Sequence, residues 1–202
     1  WLIYQRTMKK LKNKKDILFS NLPKEEQFWQ RIEMPRGLTP ENEDMYVEYI
    51  MKEFERRRTG VWFMNNGEPV YLTPAHYLAL QWIKMLDDGN FMGFRYAQLE
   101  MFYFTRATAI DPRCLGEIFC KSRRTGFTYQ IICEFINDGT ITNNSKLGII
   151  SKTGIDAQEA FLKLTYGIQN LPFFFVSVIK GKIYSKTEVE FAKPSDSTKT
   201  AK

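Results

Sequence analysis

A glycine-containing loop between two apolar segments, residues 121–128, constrains the fold of this 202-residue chain more than any other feature. Before the loop, the short run Gly116 to Cys120 is typical of a buried strand. After it, residues 129–137 repeat apolar side chains at helical spacing, and residues 146–151 form a second apolar run. This order of strand, loop, helix and strand predicts a right-handed crossover within a parallel sheet, with the loop at the carboxyl end of the first strand.

The sequence of the loop, KSRRTGFT, predicts a phosphate-binding site in which the lysine has moved. An ordinary phosphate-binding loop reads G-x-x-x-x-G-K-[ST], and here only Gly126 and Thr128 are in register. Lys121 stands where the first glycine would be, and Phe127 takes the usual lysine position. A phenyl ring cannot neutralise a phosphate, but a lysine ammonium on its flexible stem can reach the same oxygens from the front of the loop. We therefore expect Lys121 to bind the β- and γ-phosphates of a nucleotide and the Thr128 hydroxyl to bind Mg²⁺.

Each of these residues also has an ordinary structural role. Gly126 can simply turn the chain, Thr128 can cap a helix, and Lys121 can be a solvated lysine after a strand. Arg123 and Arg124 are candidates for an arginine that stabilises charge on the γ-phosphoryl group, and the sequence does not decide between them. Taken alone, each residue favours its ordinary role, but the surrounding strand, loop and helix favour the phosphate site.

The segment KSRRTGFTY, residues 121–129, resembles the large terminase subunit of tailed phages, the motor that drives DNA into a procapsid. Several members of that family carry a loop with lysine at its front and an aromatic residue after the glycine, and residues 171–175 resemble terminases of the crAss-like and related groups. Residues 94–102 resemble the segment in which a glutamine of the family reads the adenine edge, and Gln98 is the matching residue. The alternative role for Gln98 is that of an ordinary exposed residue on the surface of a helix. The resemblance covers roughly residues 60–195 and includes residues 65–73, 148–158 and 171–175.

The resemblance implies an α/β fold, a P-loop NTPase with a parallel central sheet, that uses ATP and Mg²⁺. Lys121 and Arg123 are then the catalytic candidates, and Thr128 is the metal ligand. The implied nucleotide-binding residues are Gln98, Lys121, Ser122, Arg123, Arg124, Thr125, Gly126, Phe127 and Thr128. The implied partners are double-stranded viral DNA, a portal protein, a small terminase subunit and other copies of the chain in a homo-oligomeric ring. The resemblance implies no membrane partner. The implied location is the cytoplasm of the infected bacterial host.

The chain departs from that family near its end. The Walker B element, an apolar strand ending in Asp-Glu, has no match after Lys180, because Glu188 and Glu190 lie on an alternating segment typical of a half-exposed surface. We therefore expect residues 60–202 to be the N-terminal part of the ATPase domain, without the Walker B element or the nuclease domain. Residues 1–59 form a separate basic and helical region.

That first region and the residues after it predict helices and one hairpin. Thr39-Pro40 opens a helix whose expected inner face contains Met45, Tyr49, Ile50 and Phe54. Asn66-Gly67 joins two apolar strands in a hairpin, and Thr73-Pro74 opens a further helix. A helix over residues 95–109 should pack on the edge of the nucleotide-binding sheet.

Composition and charge leave other nucleic-acid proteins open. The formal net charge of +6 suits contact with nucleic acid, although the lysines between residues 9 and 15 are more typical of a solvated arm. No apolar stretch approaches the roughly 18 residues of a membrane span, and three cysteines without C-x-x-C spacing argue against zinc. The alternatives are a helicase-like or repair P-loop ATPase, and a non-catalytic nucleic-acid-binding module.

Overall fold

The described part of the chain contains five α-helices and two small groups of strands. The structure, a computed structural model, describes residues 17–122, 125–142, 145–175, 179–180 and 187–191. The helices are α1 (Val47–Thr59), α2 (Pro74–Gln81), α3 (Tyr96–Ile110), α4 (Phe127–Ile141) and α5 (Gly154–Gln169). The strands are β1 (Ile17–Leu18), β2 (Val61–Asn65), β3 (Glu68–Leu72), β4 (Ile179–Lys180) and β5 (Glu190–Phe191). Short 3-10 turns cover Lys24–Glu26, Pro40–Tyr46 and Phe173–Phe175.

The predicted hairpin is confirmed. β2 and β3 are antiparallel and pair from Val61 with Leu72 to Asn65 with Glu68. The turn between them places Asn66 at φ 50° and Gly67 at φ 85°, the left-handed conformations that a two-residue hairpin turn requires. β1 adds in parallel to β2, so the described sheet is three-stranded and mixed.

The predicted P-loop fold with a parallel central sheet is wrong for the residues that the structure describes. Residues 116–120 and 146–151 have no regular secondary structure, and the described strands after residue 175 form only an antiparallel pair. The side chains of Leu115, Ile118 and Ile150 are 103%, 89% and 98% exposed. An apolar run has strand propensity, but a strand is stabilised by hydrogen bonds and side-chain pairs with a neighbour. Within the described ranges neither segment has such a neighbour.

The core is helical and centres on α2. All of its residues are buried because other helices pack around it. The helix begins at Thr73, whose hydroxyl accepts the backbone N–H of His76 at 3.3 Å. α4 packs against α2, and α5 packs against α4. Searched over the described part of the chain, no helix has the length and apolar character that crossing a membrane requires.

The inner face of α1 differs from the predicted one. Met45, just before the helix, is 81% exposed and Phe54 is 39% exposed, whereas Glu53 and Arg57 are 0% and 1% exposed. Arg57 donates from Nη2 to the Thr140 hydroxyl of α4 at 2.5 Å, and its guanidinium carbon lies 4.5 Å from the centre of the Phe175 ring. Long side chains of this kind bury their stems while their polar ends find partners. The helix therefore packs through Glu53 and Arg57 as well as through the rings of Tyr49 and Phe54, which lie against Phe174 and Phe175.

Glu53 is the acceptor that holds α1 to α2. The Tyr77 hydroxyl donates to Glu53 Oε2 at 2.5 Å, and Trp82 Nε1 donates to the same oxygen at 3.1 Å. Arg56 forms a salt bridge with the other carboxylate oxygen. Burial, and then the neighbouring Glu53 carboxylate, raise the pKa of the Tyr77 hydroxyl, so it remains a donor at any ordinary pH.

Glu53→Ala should lower the free energy of unfolding by about 3–5 kcal/mol, because two buried donors and Arg56 lose their acceptor. Urea unfolding followed by circular dichroism measures the change. Glu55→Ala is the matched control on the same helix, where the exposed side chain should cost no more than about 0.5 kcal/mol. Equal losses in the two variants would contradict the assigned role of Glu53.

Candidate functional site

The turn before α4 is the structural centre of the predicted phosphate loop. Gly126 is the N-cap residue of α4 and adopts φ 81° and ψ 5°, in the left-handed region that favours glycine. Among the described residues, no side chain caps the helix at this end. A helix leaves its first backbone N–H groups without partners inside the helix, and the aligned peptide dipoles make that end positive. The turn therefore presents N–H donors and partial positive charge together.

Gln98 of α3 lies against this turn. Its side-chain Nε2 is 2.7 Å from the position that a Cβ atom on Gly126 would occupy, so a larger residue at 126 would collide with it. Gln98 is 4% exposed, and its Oε1 atom has no hydrogen-bond partner among the described residues. The carboxamide therefore fills the space beside the glycine with a buried, unused acceptor.

Two further polar side chains next to Gly126 are buried without partners. Thr125 Oγ1 precedes the glycine, and Gln130 follows one helical turn later, where its backbone N–H bonds to the Gly126 carbonyl at 3.2 Å. Gln130 is 0% exposed, and neither of its carboxamide atoms has a partner in the described ranges. Buried polar groups are normally hydrogen-bonded, so a cluster of this kind indicates a place where a polar ligand or a shifted loop supplies the partners.

Lys121 lies over the start of α4. Its Nζ atom is 5.8 Å from the centre of the Phe127 ring, and Phe127 in turn packs against Phe119 with ring centres 4.9 Å apart. Phe127, the residue that replaces the usual lysine of a phosphate loop, thus lies within reach of the displaced ammonium. The Lys121 side chain is exposed, and its ammonium lies near the ring of the first residue of α4.

The structure brings most of the predicted nucleotide-binding residues together. Lys121, Thr125, Gly126 and Phe127 meet at the turn, with Gln98 beside them. Ser122 and Thr128 are exposed in the same segment, and Thr128 is in the first turn of α4. Arg123 and Arg124 lie outside the described residues, as do the lysines between residues 9 and 15.

Gln130 is the residue that the sequence reading missed. The available signal was a glutamine one helical turn after Gly126, followed at helical spacing by Glu134 and Asp138. Helical periodicity treats such a residue as part of the core face or as surface. Only the structure shows that it is fully buried and lacks a described partner.

The predicted metal ligand, the Thr128 hydroxyl, is exposed in the first turn of α4. Over the described ranges no group of three or more acidic, histidine or cysteine side chains is arranged to hold an ion. Mg²⁺ in nucleotide sites takes its remaining ligands from phosphates and water, so a single hydroxyl fits the part that the protein plays. Glu188 and Glu190 are exposed, which agrees with the half-exposed surface expected for them.

A carboxylate cluster continues along the same face of α4. Glu134 follows Gln130 by one helical turn, and its Oε1 atom is buried without a described partner. Burial first, and then the neighbouring Asp138 and Glu117, raise the pKa of the Glu134 carboxyl to about 8, while Arg106 acts in the opposite direction. The Glu134 side chain is therefore largely protonated near neutral pH.

A separate groove of about 530 Å³ lies between α4 and α5. Its walls are mainly apolar, with Phe135, Leu147, Ile149 and Phe161 among them. None of the predicted nucleotide-binding residues lines it. The chemistry-bearing side chains are at the turn before α4, so that turn and not the larger groove is the candidate site.

Comparisons with protein-family models, curated proteins and solved structures find no match to this chain. The resemblance to large terminase subunits therefore stays a prediction. A proposed function has to rest on the geometry of the turn and on the residues that carry the resemblance.

Glu134→Gln should make the protein more stable relative to wild type as pH rises from about 4.5 to about 8. A carboxyl whose pKa is raised on folding stabilises the folded state while it is protonated, and that contribution is lost as the pH approaches the folded pKa of about 8. Urea unfolding of both proteins at intervals across this range measures the difference. Glu159→Gln, at an exposed position on α5, is the control and should show no such trend. A constant difference between Glu134→Gln and wild type would count against the burial of this carboxyl.

Proposed function

We propose that this chain binds the triphosphate of ATP at the turn before α4 and is the nucleotide-binding part of a DNA-packaging ATPase of the large-terminase type. One observation carries the proposal. A left-handed Gly126 at the N-terminus of a 15-residue helix has the buried Gln98 carboxamide against it, whose Oε1 atom has no described partner, and the Lys121 ammonium lies 5.8 Å from the ring of the next residue, Phe127. A phosphate is bound by backbone N–H donors and by a mobile positive charge, and it needs a residue small enough for the backbone to approach it closely.

Binding of phosphate follows from the local chemistry. The first N–H groups of α4 have no partners inside the helix and no side-chain cap at Gly126, so they can donate to phosphate oxygens, and the positive end of the helix favours the negative charge. Gly126 allows close backbone approach because it has no side chain. Lys121, on the front side of the turn, supplies a full positive charge where the ordinary loop would place its lysine behind the glycine.

For hydrolysis, we assign roles only to residues of this chain. Lys121 and the amides of α4 neutralise the phosphates and hold them in place, and the Thr128 hydroxyl binds Mg²⁺. The ion supplies charge neutralisation to the β- and γ-phosphates when bound. Arg123, which is outside the described residues, is the candidate arginine for charge on the γ-phosphoryl group.

The coupling to DNA is supported by the resemblance in residues 94–102 and 121–129 and by the net charge of +6. In this proposal the complete enzyme moves double-stranded viral DNA through a portal protein as a homo-oligomeric ring, together with a small terminase subunit, in the cytoplasm of the infected host. A motor that moves any sequence must contact phosphates rather than bases.

Lys121→Ala should raise the Kd for Mg·ATP by about tenfold or more, because a charge-assisted contact with phosphate is lost. Isothermal titration calorimetry measures the affinity of the purified chain. The control is Lys152→Ala, an exposed lysine just before α5, which should bind as wild type does. Unchanged affinity in Lys121→Ala would refute the role of this lysine, and no ATP binding by wild type would favour a non-catalytic nucleic-acid-binding module.

Binding to DNA should be insensitive to sequence and steeply dependent on salt. Two duplexes of unrelated sequence should have similar Kd values, and the logarithm of affinity should fall linearly with the logarithm of salt concentration. Fluorescence anisotropy with duplex and single-stranded DNA of equal length measures both properties. A clear preference for the single strand would favour the helicase-like alternative over a packaging motor.

A further inference from the structure

We propose that Gln98 is a positioning residue that holds the turn at Gly126 in its phosphate-binding conformation, and that it does not read the adenine base. This inference deepens the proposed function and rests on it. It concerns how the protein sets its affinity for phosphates and its choice between nucleotides. The resemblance alone assigns Gln98 to the base.

The position of the Gln98 carboxamide carries the inference. Its Nε2 atom is 2.7 Å from where a Cβ on Gly126 would lie, and the residue is only 4% exposed. Reading an adenine edge requires both a donor and an acceptor to face the ligand. A carboxamide buried against the turn has its donor end at the glycine and is covered by the protein. The group next to the Gln98 carboxamide is therefore the backbone of the phosphate site.

The attachment of Gln98 to the core makes it a fixed support. It lies in the first turn of α3, where its backbone N–H donates to the Arg95 carbonyl at 3.1 Å. The adjacent Leu99 is 6% exposed, and Phe102, one turn later, is fully buried and stacks on His76 with ring centres 4.4 Å apart. The packed residues of α3 therefore fix the base of the Gln98 side chain, which extends from the core to the turn.

Several polar atoms near Gly126 lack described partners, and this accounts for a polar rather than an apolar side chain at position 98. Gln98 Oε1, Thr125 Oγ1 and both carboxamide atoms of Gln130 have no partner in the described part of the chain. An apolar side chain would fill the same space without any hydrogen-bonding capacity. Carboxamides can donate and accept, so they can satisfy backbone groups of the turn when a bound triphosphate draws its N–H donors outward.

The test measures Kd for Mg·ATP, Mg·GTP and Mg·tripolyphosphate in wild type, Gln98→Met and Gln98→Glu by calorimetry. Methionine matches glutamine in length but lacks its donor and acceptor, and glutamate places negative charge beside the turn. We expect Gln98→Met to weaken all three ligands by the same factor, about tenfold, with an unchanged ratio of ATP to GTP affinity. Gln98→Glu should weaken all three further. Gln158→Met, at an exposed glutamine of α5, is the matched control.

The three ligands separate the inference from the function that it rests on. If Gln98→Met loses discrimination between ATP and GTP but binds tripolyphosphate as wild type does, Gln98 reads the base and the positioning role is overturned. The proposed function survives that result. If wild type binds none of the three ligands, the proposed function fails and the inference fails with it.

A second pair of variants keeps the inference testable if Gln98→Met does not fold. Gln98→Asn retains the carboxamide on a shorter stem that cannot reach the turn, so it should weaken the three ligands equally. Gly126→Ala introduces a methyl group beside Gln98 Nε2 and should cost less tripolyphosphate affinity in a Gln98→Asn background than alone. Additive effects of the two substitutions, or unchanged tripolyphosphate affinity in Gln98→Asn, would overturn the positioning role.

Discussion

The burial of α2 along its whole length is the constraint from which the rest of the structure follows. Tyr77 of this helix donates to Glu53 and fixes α1, while His76 stacks on Phe102 and fixes α3. Burial lowers the pKa of His76 to about 3, so the ring is neutral and packs between aromatic side chains as an apolar residue does. α4 packs on the same helix. Because α3 and α4 are both placed by α2, the first turn of α3 and the N-terminus of α4 come together, and Gln98 meets Gly126.

Local signals in the sequence predicted the elements that local chemistry determines. Asn66-Gly67 specifies its turn through backbone conformation alone, and Thr73 caps α2 with its own hydroxyl. The predicted strands over residues 116–120 and 146–151 depended on partners that periodicity cannot supply, and the described residues provide none. The inner face of α1 was misjudged for a related reason. Glu53 is buried because Tyr77 and Trp82, distant in sequence, donate to it, and apolar periodicity contains no information about such pairs.

For the candidate site too, the sequence revealed what depends on local chemistry and did not reveal what depends on contacts between distant segments. Lys121 and Gly126 could be identified because a phosphate loop is a contiguous motif whose chemistry is local. The proximity of Gln98 to that loop was implied only by resemblance, and its burial against the glycine is a property of how α3 packs. Gln130 belongs to no motif that could have identified it from the sequence. Its significance depends on full burial and missing partners, which are tertiary properties.

The charge along α4 bears on whether a phosphate can bind at its N-terminus. Glu134 lies two turns after Gly126, about 12 Å along the helix axis, and would oppose an anion there if it were ionised. Burial raises the pKa of its carboxyl to about 8, so near neutral pH this side chain contributes little negative charge. The residues between them, led by Gln130, are uncharged on that face. The Glu134 carboxyl therefore does not oppose the positive end of the helix dipole near neutral pH.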